Sequence, residues 1–297
     1  MSRLAVTGLL LPVLFAAAGL PASRVSVVVV SESGVDAYAA ALDGVTAALP
    51  EGAFRLVDAA GKTFDRDFAA ALESTDSRAL IAVGSRALAE VRARHIAAPL
   101  VAAMVLHASE PEPGVRYIDL DIPLAAQLGA MRALWPRRTR AGIIRDPAQS
   151  RYAAEALESC ARKEGFLPVV VDCEGPAQLL KTLAALKGKV DFVLCFPDPD
   201  LYNPVTVRPL VLASLEHGLP LVGFSPAFVR AGAAAGIFPD YRDIGRQAAE
   251  MALRVLRGEE PAADESPRKI QVAINQRVER LLGVEFRADA LGVEVFR

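Results

Sequence analysis

The chain has 297 residues, a formal net charge of −2, 53% hydrophobic but only 6% aromatic residues, and a mean hydropathy of +0.30. So much aliphatic content with so little net charge excludes a disordered chain, and the lack of excess positive charge excludes nucleic acid as the main partner. The length is that of about two domains, and Cys160, Cys173 and Cys195 are too few for a disulfide framework.

Residues 1–22 read MSRLAVTGLLLPVLFAAAGLPA: Arg3, then an uncharged apolar run, then small residues at Ala16, Ala18 and Ala22. That order is expected of a secretory signal peptide. The run is slightly short for a membrane span and is interrupted by Gly8, Pro12 and Gly19, so no span is expected after cleavage. Val25–Val30 is a near-continuous β-branched run, as in a parallel strand covered on both faces. Val35, Tyr38, Leu42, Val45 and Leu49 then step by three and four along a helix. Further strands are predicted at 54–57, 79–83, 99–105 and 115–120, with helices at 65–73, 85–94 and 123–134. A second set places strands at 141–144, 167–171, 190–195 and 220–223, with helices ending near 164 and spanning about 176–187 and 205–217. A helix at 241–256, entered through Asp240 and left through Gly258, precedes a strand at 269–274 and a helix at 275–282. Glu259–Pro267 reads as a loop.

Such alternation predicts an α/β fold of two Rossmann-like lobes with parallel sheets and a ligand cleft between them. The expected division is 24–120 plus about 238–272 for the N-terminal lobe and 121–237 plus about 273–297 for the C-terminal lobe, the last segments returning across the interface.

No nucleophile elbow, zinc-helix motif or Cys-x-x-Cys is present, and Gly61-Lys62-Thr63 lacks the opening glycine of a phosphate loop. Neither a catalytic set nor a metal or cofactor is expected. Asp119/Asp121 and Asp198/Asp200 permit a calcium site without specifying one. Cys195 reads as a buried thiol, and a Cys160–Cys173 disulfide is open in an oxidising compartment. The arginines at 137, 138, 140 and 145 read as a solvated stretch. In open parallel sheets, ligands bind beyond the carboxyl ends of the strands. Those ends supply the candidate ligand contacts Ser31, Glu32, Ser33, Ser85, His107, Asp146, Ser150, Asp198, Tyr202, Phe224 and Ser225, with Asp240 at a helix entrance. Serine and aspartate at such places also cap helices, so each residue alone is ambiguous.

Several blocks are more specific in combination. Leu134-Trp135-Pro136 precedes Ala141-Gly142-Ile143-Ile144 and Asp146-Pro147 with Ser150. Val190-Asp191-Phe192-Val193, Pro197-Asp198, Gly218-Leu219-Pro220-Leu221 and Val229-Arg230-Ala231-Gly232-Ala233 follow. Asp240-Tyr241 with Gly245-Arg246-Gln247-Ala248-Ala249, then Leu256-Arg257-Gly258, Pro261, Ile274-Asn275 and Leu282-Gly283, complete the series. In this order the chain resembles the ABC-transporter substrate-binding proteins of the family that includes bacterial tryptophan- and other aromatic-amino-acid-binding members, over about residues 125–285. The N-terminal half departs from the family pattern: Val115-Arg116-Tyr117-Ile118-Asp119 replaces an Asn-x-Thr-Gly segment, and Met104–Ser109 lacks the usual Asp-Pro.

The resemblance implies a type I periplasmic binding fold, a periplasmic location, a small polar ligand such as an amino acid, and an ABC permease as membrane partner. It also implies that backbone N–H groups near Ser31–Ser33 and Ser85 meet a carboxylate and Asp198 an ammonium. Ser150 and Ser225 would add hydrogen bonds, and Tyr202 or Phe224 would pack on the apolar part. An exported sensory or interaction protein of the same fold is the alternative.

Overall fold

The computed structural model describes residues 26–74, 79–106, 113–148, 150, 152–290 and 293–296. The signal-peptide reading of 1–22 and the candidate His107 lie outside the described residues. In chain order the elements are β1 (Val27–Ser31), α1 (Asp36–Ala48), β2 (Phe54–Asp58), α2 (Phe64–Glu73), β3 (Ala79–Val83), α3 (Ser85–Arg92), β4 (Leu100–Val105) and β5 (Val115–Asp119). Then come α4 (Leu124–Leu134), β6 (Arg140–Arg145), α5 (Ala154–Lys163), β7 (Leu167–Asp172), α6 (Leu179–Leu186), β8 (Phe192–Leu194), α7 (Val207–Glu216), β9 (Leu221–Gly223), α8 (Pro226–Ala231) and β10 (Ala235–Pro239). The last are α9 (Tyr241–Leu256), β11 (Asp264–Glu265), β12 (Ile270–Asn275), α10 (Gln276–Leu282) and β13 (Glu294–Phe296).

The strands form a six-stranded sheet, β11-β5-β4-β3-β1-β2, and a seven-stranded sheet, β13-β12-β10-β9-β8-β6-β7. The central strand of the first shows why: Val27, Val28, Val29 and Val30 have no exposed surface. Val27 and Val29 join the cluster under α1 and α9, whereas Val28 and Val30 join the cluster under α2 and α3. Alternate side chains therefore fill both faces, and each valine contributes about 1.5–3 kcal/mol by leaving water.

The second sheet departs from the all-parallel expectation at one place. β12 runs antiparallel to β10, with Ile237 opposite Val272 and Phe238 opposite Gln271. β10 itself was not predicted: its sequence AGIFP has one β-branched residue, and burial on both faces rather than propensity makes it a strand. Within the stretch read as a loop, Asp264 and Glu265 pair with Tyr117 and Ile118 as β11. Residues 238–239 and 270–272 therefore sit in the second sheet, and the segment that returns to the first consists of α9 and β11.

The chain passes between the sheets around 120–123, at Asp240 and at 266–269. Gln247 of α9, buried, fastens the third passage: its Nε2 donates to the Ser266 carbonyl at 3.1 Å and its Oε1 accepts from the Arg268 N–H at 3.1 Å. The Asp240 N–H donates to the Lys269 carbonyl at 3.0 Å, so the second and third passages lie side by side. Where α9 crosses α1, the helices approach through Gly44 and Gly245. A Cβ on Gly245 would overlap the Ala41 carbonyl oxygen, and one on Gly44 the Arg242 carbonyl oxygen.

Cys160 packs against the cluster containing Ala141 and Ile143, whereas Cys173 and Cys195 lie in the cluster containing Ile144. These are opposite faces of the second sheet, and all three cysteines are free thiols, so the disulfide considered between Cys160 and Cys173 does not form. Cys195 is fully buried, which pushes its thiol up to about 12.

The arginine stretch is not merely solvated. The Asp191 carboxylate accepts from the Thr139 and Arg140 N–H groups at 3.1 and 2.9 Å and from the Arg140 guanidinium at 2.8 Å. Burial would raise this carboxyl, yet Arg140 and the two amides outweigh it and hold it below the ordinary range. Asp191→Ala is expected to cost about 3 kcal/mol, read as a fall in the urea midpoint, because it strands two amides and an arginine at once. A midpoint unchanged from the parent would contradict this.

Candidate ligand-binding site

Four strand ends share one local device. The Oδ1 of Asp58, Asp119, Asp146 and Asp198 accepts from the N–H two residues on, at 2.9, 3.0, 2.9 and 3.0 Å. A short carboxylate can satisfy an amide this way without a helix or strand partner, so the chain turns sharply as it leaves the sheet. In Asp119/Asp121 and Asp198/Asp200 the first carboxylate thus faces the second residue's backbone. Among the described residues no three His, Cys, Asp or Glu side chains are grouped for a metal ion.

The Asp146 and Asp198 turns, beyond β6 and β8, border a cavity of about 600 Å³. Leu106 from the first sheet, Ile122, Ile144, Phe196, Pro197 and Pro199 give it apolar walls, and Gln127, Asp121, Asp146, Ser150 and Asp198 give it polar ones. Asp146 is 7% exposed, and Asp198 is half-buried. Asp198 also accepts from the Leu201 N–H at 3.0 Å. Among the described residues, neither Asp146 nor Asp198 has a cation against it. Burial raises the Asp198 carboxyl above its ordinary range despite the two N–H groups on it, and the charges of Asp146 and Asp200 add to the rise. Gln127, 4% exposed, spends its Nε2 on the Ile122 carbonyl at 2.8 Å. Its Oε1 is left as an acceptor on the cavity wall. Arg145 also borders the cavity, but its Nε donates to Asp172 at 2.6 Å and its Nη1 to the Tyr152 carbonyl at 2.7 Å. Among the described residues that line it, acceptors therefore outnumber free cations.

Of the predicted contacts, Asp146, Ser150 and Asp198 line this cavity together. Ser31, Glu32, Ser33 and Ser85 stand at the corresponding edge of the first sheet. Ser31 is buried at the end of β1, Ser33 bonds Asp58, and Glu32 lies 3.6 Å from Arg86. Ser85 follows Gly84, whose φ of 96° and contact with the Tyr38 ring both require glycine.

Tyr202 does not face the cavity. It packs edge-on against Phe224 and Phe228 at 5.9 and 6.0 Å, and its hydroxyl is buried beside Cys195, so burial raises it well above the ordinary tyrosine range. Phe224 belongs to the same aromatic group. Ser225 caps α8, accepting from the Phe228 N–H at 3.2 Å, and Asp240 caps α9, accepting from the Asp243 N–H at 3.1 Å. Gln127 was missed, although a lone amide on the apolar face of a predicted helix is a signal the sequence offered.

Residues 60–293 match the family described as ABC transporter substrate binding protein. A tyrosine-binding protein of Clostridioides difficile (strain R20291) is 25% identical over 163 residues, 54% of this chain and 46% of that protein, so the chain matches about half the length of this curated relative. Among solved structures, the ligand-free, open structure of a substrate binding protein with adhesive properties from Clostridium difficile has a TM-score of 0.67 at 16% identity, covering 92% of this chain and 99% of that one. The ABC domain in complex with L-Trp from Streptococcus pneumonia has a TM-score of 0.58 at 16% identity, covering 91% and 100%. Likeness at such identities speaks for the fold, which is that of the type I periplasmic binding proteins, as the strand–helix alternation and the resemblance led one to expect.

Proposed function

This chain belongs to the ABC transporter substrate binding protein family, and on that premise we propose that it holds a small molecule bearing a protonated amine between its lobes and delivers it to an ABC importer. The observation that carries the reading is the pair Asp146 and Asp198, facing one cavity without a counter-cation among the described residues. A carboxylate shielded from water without a counter-cation disfavours its own charge, as at Asp198, and an ammonium ligand offsets that cost when it binds. Ser150 and the Gln127 Oε1 complete the second-lobe contacts, while Leu106, Phe196 and Pro197 surround an apolar body. Closure of the first lobe, with Ser31–Ser33 and Ser85 at its edge, would exclude water, the ligand favouring the closed state by touching both lobes. Tyrosine binding by the Clostridioides relative and the L-Trp complex support a ligand of this size. Export and a periplasmic location belong to the same reading.

The test is a thermal-shift screen of amines, amino acids, nucleosides and sugars, followed by calorimetry on each hit. A ligand at 100 times its Kd stabilises by about 2.7 kcal/mol, enough to stand out. Ammonium-bearing compounds are expected to raise Tm; a response confined to neutral sugars would sink the reading. The pH dependence has a definite sign. Because the Asp198 carboxyl is raised in the empty site, protonation competes with the ammonium. Affinity should fall as pH drops through that raised value and level off above it, with protons released on binding in the lower range.

A further inference from the structure

Two buried glutamines each hold a passage between the sheets from a neighbouring helix. Gln247 of α9, 1% exposed, is spent at both ends of its amide, Nε2 on the Ser266 carbonyl and Oε1 on the Arg268 N–H, at 3.1 Å each. Gln127 of α4, 4% exposed, is spent at one end: its Nε2 donates to the Ile122 carbonyl at 2.8 Å, on the 120–123 passage. A carbonyl accepts only from the nitrogen of an amide, so the oxygen is the end left over. That Oε1 accepts from no described residue and is not sealed from solvent, so it opens on the cavity that Gln127 borders. The third passage is thus fastened within the chain, whereas the first is fastened through a group that a ligand can reach.

The first passage is also anchored at its two ends. Toward the first sheet the buried Asp119 carboxylate accepts from the Asp121 N–H at 3.0 Å. Toward the second, Pro123, with a φ of −52°, leads directly into α4. Fixing the Ile122 carbonyl fixes the plane of the Ile122–Pro123 peptide, and with it the direction in which the chain runs between the sheets. The terminal torsion of a glutamine is broad, so with nothing on Oε1 the amide can turn and release Ile122. An N–H donated to Oε1 holds that torsion and polarises the amide, which strengthens the bond from Nε2 to Ile122.

We infer that Gln127 is a positioning residue that passes ligand occupancy to the hinge: a ligand N–H on its Oε1 locks the Ile122 end of the first passage and so favours closure of the lobes. This rests on the reading of the cavity as an ammonium site, since the ammonium supplies that N–H. Small-angle X-ray scattering reads closure and calorimetry reads affinity, both at neutral pH. The probe is whichever of tyramine, L-tyrosine, tryptamine and L-tryptophan binds the parent protein most tightly. The parent is expected to contract when saturated. Gln127→Glu keeps an oxygen toward the cavity but sets another against the Ile122 carbonyl. Saturated with the same probe, it should contract far less, its closed-to-open ratio about tenfold below the parent's. Gln127→Met removes both ends of the amide without burying a charge; it should behave alike, and serves if the glutamate substitution unfolds the chain.

Ser150→Ala supplies the contrast. Ser150 also borders the cavity, but its hydroxyl donates to the Tyr152 carbonyl, at 3.1 Å, and not to the passage. Its loss should weaken binding about fivefold, yet the variant should contract as far as the parent once saturated. A glutamine needed only for packing would lower the melting temperature and leave the contraction intact. A saturated Gln127 variant that contracts as far as the parent therefore overturns the inference and leaves the ammonium reading in place, as does a parent that binds without contracting. No binding by any of the four probes overturns both.

Discussion

Replacing Asp198 by asparagine should weaken binding of the cationic ligand by about 100-fold while raising the melting temperature of the empty protein. The substitution keeps the shape and the Oδ1 that accepts from Asp200 and Leu201. What it removes is the charge that burial and Asp146 both disfavour. A charge-assisted bond to a carboxylate is worth about 1.5–3 kcal/mol, and its loss appears only with ligand present. In the empty protein the sign reverses, because a carboxyl raised above its unfolded value destabilises the fold at every pH above the folded value. Opposite movements of affinity and stability distinguish a ligand contact from a helix cap, whose loss lowers both. Calorimetry and thermal melts on the same variant decide it: unchanged affinity, or a lowered melting temperature, would remove Asp198 from the site.

Gly245→Ala is expected to be the most damaging single-methyl change, costing about 3 kcal/mol or more. Its added carbon would overlap the Ala41 carbonyl oxygen, which is backbone and cannot rotate aside. The two helices would have to separate, opening the packing of Ala41 and Val45 against Ile244 and Ala248, all with no exposed surface. Gly44 faces the Arg242 carbonyl in the same way, so relief by sliding one helix is blocked from both sides. Chemical denaturation would show a lowered midpoint with an unchanged slope. A midpoint equal to the parent's would mean that the helices do not meet as described. Ligand affinity measured well below the transition should change little, since neither glycine borders the cavity.

The contrast between these two residues shows what the sequence made legible. Gly245 belonged to a recognisable block, and α9 was bounded correctly by Asp240 and Gly258 because capping chemistry is local. β1 and β3 were equally plain, since fully buried parallel strands advertise themselves as aliphatic runs. β10 was not: alanine, glycine and proline carry no strand signal, and only β9 and β12 on either side make that segment extended.

Of the candidate contacts, Asp146, Ser150 and Asp198 were found because ligands gather at strand ends. Tyr202 stood four residues beyond Asp198 and looked equivalent. Its ring instead joins Phe224 and Phe228, more than twenty positions away in sequence, which no local reading can anticipate.

The return of α9 and β11 to the first sheet has a consequence for the order in which the protein can be made. Val27, Val29, Ile81 and Val101 present one face to α9, which ends at Leu256. A chain synthesised from its N-terminus therefore has only α1 to cover that face until most of the polypeptide exists. The second sheet waits similarly for β12 before β10 gains its antiparallel neighbour. Neither half is encoded as one continuous stretch, so a gene fragment ending near residue 120 would yield an unfinished sheet rather than a smaller folded protein.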